Sequence, residues 1–212
     1  MKKQVQSVFY MFLITLFFAS LVSAVKLMNE GKIVSNQVRK LRRVILRVMA
    51  IPAENISSEA ELSLFFAARV KEIQVGERTV YVGYKGDGRT VSGYALPVGG
   101  PGFWGPIEGM VGISPDGGRI IGVAFYRHSE TPGLGGRITE GWFSSQFKNL
   151  PLFPIEGDRK IFYLKQEGTG KTPNELDAIT GASNTSDAVE TFLNRELDNF
   201  LREIWGRIGE KE

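Results

Sequence analysis

Between Gln4 and Val25 the chain carries no charged residue, and from Val8 to Val25 it reads VFYMFLITLFFASLVSAV. In a helix these 18 residues rise about 27 Å, close to the thickness of a bilayer core. Two readings follow from that run. It is a retained transmembrane anchor, or it is a cleaved signal peptide, for which Val22-Ser23-Ala24 offers a small-residue cleavage site. The run is longer than an ordinary signal core, which favours the anchor.

The charges are arranged around this segment. Lys2 and Lys3 precede it, residues 26–50 hold seven basic groups against Glu30 alone, and the rest of the chain holds 17 basic and 22 acidic groups. A formal charge of +3 therefore conceals a basic stretch beside the apolar run and an acidic remainder. Basic residues so placed point to a membrane surface and away from nucleic acid. Counted by the positive-inside rule, they put the remainder of the chain in the cytoplasm. Short basic amino-terminal tails often stay inside as well, so composition leaves the topology open.

With 212 residues there is room for one ordinary domain beyond an anchor. The chain has no cysteine and a single histidine, His128. Disulfides, thiolate zinc sites, cysteine-ligated iron–sulfur clusters, thiol nucleophiles and multi-histidine metal centres are thereby excluded. Redox chemistry in this chain would need an organic cofactor.

The texture divides the chain into residues 1–25 (tail and span), 26–52 (basic stalk) and 53–212 (main domain). Val38, Leu41, Val44, Ile45, Val48 and Met49 fall at helical spacing with a basic opposite face. They predict a stalk helix that contacts anionic headgroups or acidic neighbours, or else a solvated connector, ended by Pro52. Residues 53–75 predict a further helical stretch. From Thr79 onward, TVYVGY, VSGYALPV, GMVGIS, RIIGVAFY and KIFYLK alternate with Gly-, Pro- and Asp-rich turns, which predicts an antiparallel sheet. Val189, Phe192, Leu193, Leu197, Phe200, Leu201, Ile204, Trp205 and Ile208 form one apolar stripe. This is a carboxy-terminal amphipathic helix, with Ser186, Asp187 and Glu190 in capping-box spacing at its start. The fold class is α+β.

Just before that helix, Asp177 to Ser186 reads DAITGASNTS. Hydroxyl side chains and a glycine at the positive end of a helix make an anion site suited to phosphate, although helix capping explains the same residues. A Ser–His–acid hydrolase built on Ser183 and His128 lacks the Gly-x-Ser-x-Gly elbow around the serine. His128 is read as a packed or surface histidine.

This loop resembles the flavinylation motif of the FMN-binding domain shared by RnfG, of the Rnf complex, and NqrC, of the sodium-translocating NADH:quinone reductase. The residues that carry the resemblance are Asp177, Thr180-Gly181-Ala182-Ser183, Asn184 and Thr185-Ser186. Glu130-Thr131-Pro132-Gly133-Leu134-Gly135 matches a second hallmark of the family, and Gly102-Phe103-Trp104-Gly105-Pro106 resembles a third. The single span and basic stalk fit as well. Chain length favours RnfG, whereas the Trp104 block looks more like NqrC.

The resemblance implies an antiparallel-sheet FMN-binding domain held by one transmembrane helix. It implies one FMN attached through a phosphoester at the position of Ser183, where the family usually has threonine, with Thr185 as the fallback acceptor and noncovalent FMN as a third possibility. Thr180, Gly181 and Ala182 would join Ser183 around the phosphate, with Thr185 and Ser186 as donors. Phe103, Trp104 and Leu134 would lie against the isoalloxazine ring, with ordinary core burial the alternative for the two aromatics. Glu130, Thr131, Gly133 and Gly135 would shape the adjoining turn, and Lys165 is a weaker candidate for charge near the phosphate or ring. No catalytic group and no metal ligand is assigned.

Further expectations come from the same resemblance. The chain would relay electrons within a membrane-bound ion-translocating oxidoreductase of the Rnf ferredoxin:NAD type, alongside multispanning and iron–sulfur subunits. A flavin transferase would mature it, and the flavin domain would lie on the periplasmic or outer face of the cell (inner) membrane, against the simple charge count. The competing readings are an anchored flavin-binding redox sensor or donor to a soluble extracytoplasmic reductase, and a structural anchor subunit that has lost its flavin.

Overall fold

The computed structural model describes residues 2–154 and 160–208. It divides into two compact units, residues 1–40 and 41–212. The first unit lies on helix α1, which runs Lys2–Val48. Its most apolar 18-residue window has a mean hydropathy of 2.3 and no buried residue, so it is long and apolar enough to cross a membrane. Two hydroxyl side chains of its amino-terminal part turn back on their own helix. Thr15 Oγ1 donates to the Met11 carbonyl at 2.8 Å and Ser7 Oγ to the Lys3 carbonyl at 3.1 Å, as hydroxyls do where no water is available.

In the second unit α1 ends before the expected break at Pro52. Ala50 adopts φ +54° and the Ile51 N–H reaches back to the Leu46 carbonyl at 2.9 Å, a left-handed helix stop. After α2 (Glu59–Arg69) come five strands: β1 (Val70–Val75), β2 (Arg78–Tyr84), β3 (Val91–Pro101), β4 (Pro106–Ile113) and β5 (Ile120–Arg127). They pair in sequence order, each antiparallel to the next. The helical reading of residues 53–75 holds only over α2: residues 53–58 are irregular and residues 70–75 form β1. Val70, Ile73 and Val75 are β-branched, and a two-residue turn brings Val75 opposite Arg78, so pairing with β2 overrides helix continuation.

The sheet is covered on both faces. Val44, Ile45, Leu46, Val48 and Met49 from the end of α1 join Leu62 of α2 against Ala95 and Met110. The opposite face packs Val82, Leu96, Val111 and Phe125 against Phe143 of α3 (Gly141–Ser145) and Val189, Phe192 and Leu193 of α4 (Ser183–Asn199). The apolar stripe expected of the carboxy-terminal helix is this buried surface. The helix loosens into a π-helical turn, Phe200–Ile204, and ends in one α-helical turn, Trp205–Ile208.

Two local expectations are corrected. KIFYLK does not join the large sheet: only β6 (Tyr163–Lys165) is a strand, and it pairs in parallel with β7 (Glu175–Asp177). The Ile161 and Phe162 N–H groups instead bond the Asn194 side chain of α4 at 2.7 and 3.2 Å. The capping box is also absent. The helix starts at Ser183, after Ala182, and Glu190 is drawn away from the helix end to bond Lys160 and the Leu164 N–H, both at 2.6 Å.

Candidate functional site

The site is assembled from three connections: the β3–β4 turn, the segment after β5, and the loop entering α4. In that last loop Gly181 has φ +79°, a conformation that side chains other than glycine rarely take. Ser186 Oγ accepts the Ile179 N–H at 3.0 Å and donates to the Ala182 carbonyl at 3.1 Å, and the Ser186 N–H donates to that same carbonyl at 3.0 Å. The loop is thus closed onto the first turn of α4. No side chain caps that helix at Ala182, so its leading backbone N–H groups are available to an anion.

The two hydroxyls considered as flavin acceptors sit in opposite surroundings. Ser183 is exposed at the first helical position. Thr185 is buried, and its hydroxyl donates to Glu130 Oε2 at 2.5 Å. Glu130 is itself buried at 4% exposure, and its other oxygen, Oε1, accepts the Trp104 N–H at 3.0 Å. His128 stands behind it, its Nδ1 accepting the Glu130 N–H at 3.2 Å.

Around these groups lies a cavity of about 380 Å³. Phe103 and Trp104 form one side, Glu130, Thr131, Leu134 and Gly135 a second, and the run from Gly181 to Thr185 a third. Phe103, Trp104 and Leu134 are 53%, 66% and 45% exposed, so none belongs to the core. The two aromatic rings meet edge to face with centroids 5.0 Å apart. Thr180 and Ser186 line a neighbouring cavity of about 600 Å³ that also contains Gln166, Glu167 and Asp187 and shares Gly181 and Ser183 with the first. There the Thr180 hydroxyl donates to Glu167 at 2.7 Å.

Of the residues singled out in the sequence, nine line the first cavity: Phe103, Trp104, Glu130, Thr131, Leu134, Gly135, Gly181, Ala182 and Ser183, joined by the fallback acceptor Thr185. Thr180 and Ser186 are set to one side, and Gly133 and Lys165 line neither cavity. The Lys165 ammonium rests 4.8 Å over the Tyr163 ring instead. Asp177, which opens the motif, accepts the Gly168 N–H at 2.8 Å and so closes a surface turn. Two residues had no role assigned from the sequence. Asn184, which stands inside the motif, lines the first cavity. Glu167 lines the neighbouring one, where the fold brings it to Thr180.

Exposed aromatic side chains on one side and an uncapped helix start on the other are what a flat ring carrying a phosphate tail requires. The glycines fit that design. A Cβ on Gly102 would meet Glu130 Oε1 at 2.6 Å, and one on Gly135 would meet Oε2 at 2.8 Å, so both loops must pass close to the buried carboxylate.

Residues 102–198 match the family described as FMN-binding domain. NqrC of the Na(+)-translocating NADH-quinone reductase from Yersinia pestis is 34% identical over 110 residues, 52% of this chain and 41% of that protein. The corresponding protein from Neisseria meningitidis is 37% identical over 106 residues, 50% and 41% of the two chains. The match thus spans about two-fifths of the length of those relatives. Among solved structures, NqrC from Parabacteroides distasonis superposes with a TM-score of 0.66 at 25% identity, covering 81% of this chain and 94% of that one. NqrC from Shewanella oneidensis gives 0.59 at 22%, covering 76% and 90%, a likeness of fold. Residues 102–198, the stretch similar to the FMN-binding domain family, include all three connections that build the cavity.

Proposed function

We propose that this protein is a membrane-anchored electron-transfer subunit that holds FMN in the cavity between Trp104, Leu134 and the start of α4. The observation that carries the reading is the convergence of exposed Phe103, Trp104 and Leu134 with exposed Ser183 around one cavity, within the span of the family match. FMN supplies one- and two-electron redox chemistry when bound. The chain's own residues hold and orient it. The backbone N–H groups opening α4 would face the phosphate, Ser183 Oγ would carry it in a phosphoester, and the apolar side chains would shield one part of the ring from water. Thr185 is disfavoured as the acceptor because its hydroxyl is buried and engaged by Glu130.

In this proposal helix α1 anchors the chain in the cell membrane with the flavin domain outside. The protein works among multispanning and iron–sulfur partners of an ion-translocating oxidoreductase and is matured by a flavin transferase. The names of the relatives support a quinone-reductase parent complex. The Rnf-type ferredoxin:NAD complex, the first expectation from the sequence, is the alternative. The proteins that co-purify from native membranes decide between the two, and a lone anchored protein would favour the sensor or donor reading.

The primary test is intact mass with peptide mapping on protein purified from the membranes of its own host. The expected result is an adduct of FMN less one water on the peptide containing Ser183. An unmodified peptide that releases FMN on denaturation would replace covalent by noncovalent binding. Absence of flavin by both routes would overturn the electron-carrier reading in favour of a structural anchor.

A further inference from the structure

We infer that Glu130 positions the flavin site by acting as a buried tie between its aromatic wall and its phosphate end. The inference rests on the FMN reading above. Phe103 and Trp104 are exposed and so have no core packing to hold them. What fixes their loop is hydrogen bonding: the Gly102 N–H donates to the Gly105 carbonyl at 2.8 Å, and the Trp104 N–H donates to Glu130 Oε1 at 3.0 Å. The other Glu130 oxygen takes the Thr185 hydroxyl in the first turn of α4. A single carboxylate therefore joins the two sides of the cavity, with each oxygen committed to one side.

The surroundings are shaped to that carboxylate. Gly102 and Gly135 each approach one of its oxygens so closely that a Cβ would come within 2.6 to 2.8 Å of it. His128 Nδ1 receives its backbone N–H. Both oxygens are answered by uncharged donors, and burying a carboxylate on such terms is costly. An apolar contact would join two loops at lower cost but would not fix the direction of the Trp104 N–H. A carboxylate with two acceptor oxygens does. Glu130 is thus a positioning residue that sets where the Trp104 ring stands relative to a flavin held at Ser183, without itself being a ligand of the phosphate.

The test uses the full chain matured in host membranes, with the variants Glu130→Ala, Glu130→Gln, Thr185→Val and Thr185→Ser. The readouts are the adduct on the Ser183 peptide, flavin emission, the flavin midpoint potential and the melting temperature. Tryptophan in contact with an isoalloxazine ring quenches its emission by electron transfer, so emission reports the placement of Trp104. Glu130→Ala and Thr185→Val are expected to keep the adduct, raise flavin emission severalfold and shift the potential. Thr185→Ser restores the hydroxyl and should match the wild type. Glu130→Gln should fall between, because its amide oxygen can accept from Trp104 while its NH2 turns toward Thr185.

Emission and potential unchanged in Glu130→Ala and Thr185→Val, whatever their melting temperatures, would overturn the inference. If Glu130→Ala fails to fold, the Thr185→Val and Thr185→Ser pair decides: equal emission from the two refutes the tie. A wild-type protein without flavin would instead refute the FMN reading, and this inference with it. A flavin-loaded wild type with unaltered variants would refute the inference alone.

Discussion

Serine at position 183 keeps the hydroxyl of the family's usual threonine and lacks the methyl that restricts its rotamer. Its exposure makes it reachable by a transferase, whereas Thr185 two residues on is closed off by burial and by Glu130. Ser183→Ala should therefore abolish the covalent flavin while Thr185 remains in place, and Ser183→Thr should retain it at equal or higher stoichiometry. Both outcomes are read by mass on the tryptic peptide. An adduct that persists in Ser183→Ala would move the attachment to another hydroxyl. His128, read from the sequence as a packed or surface histidine and not as a catalytic group, accepts the Glu130 backbone N–H through its Nδ1.

Among the helices and strands, α4 organises the second unit. Its apolar stripe seals one face of the sheet, while two of its polar residues hold the irregular segment that leads into β6. Asn194 accepts the Ile161 and Phe162 N–H groups and donates to the Phe162 carbonyl at 3.0 Å and the Glu190 carbonyl at 2.9 Å. That network takes over the work of a neighbouring strand, and Asn194 is buried. Asn194→Ala leaves two buried backbone donors without their partner. It should lower stability by about 1–3 kcal/mol, measured as a shift of the urea midpoint at unchanged slope. Asn194→Asp keeps an acceptor for the two N–H groups and should cost less. Equal stability for all three proteins would show that water satisfies those donors.

For the protein in its membrane, the open choice is the side on which the second unit lies. The charge count and the resemblance give opposite answers, and the proposal takes the outer face. Because the chain has no cysteine, a single Lys171→Cys at an exposed position provides one labelling site against no background. A membrane-impermeant maleimide should label it in intact cells, or in cells whose outer membrane alone is permeabilised. Labelling that appears only after lysis would place the domain in the cytoplasm and reverse the topology.

Much of this molecule was legible in the sequence because the signals are local. The apolar run from Val8 to Val25 is continuous, β2 to β5 lie between Gly- and Asp-rich turns, and the stripe of α4 repeats at helical spacing. Strand β1 was missed because its identity depends on β2 as a partner, and a short segment with mixed polar residues fits either structure. The capping box failed for a related reason: Glu190 is claimed by Lys160 and the Leu164 backbone, remote in sequence. For the site, the resemblance to family motifs brought forward the loop residues around Ser183 and the Glu130 turn as separate candidates. The three-dimensional fold alone decided which hydroxyl is exposed and which is buried, and that Glu130 joins Trp104 to Thr185. Sequence periodicity reports the environment along one element, whereas burial and hydrogen bonding between loops arise only once the sheet and α4 have closed around them.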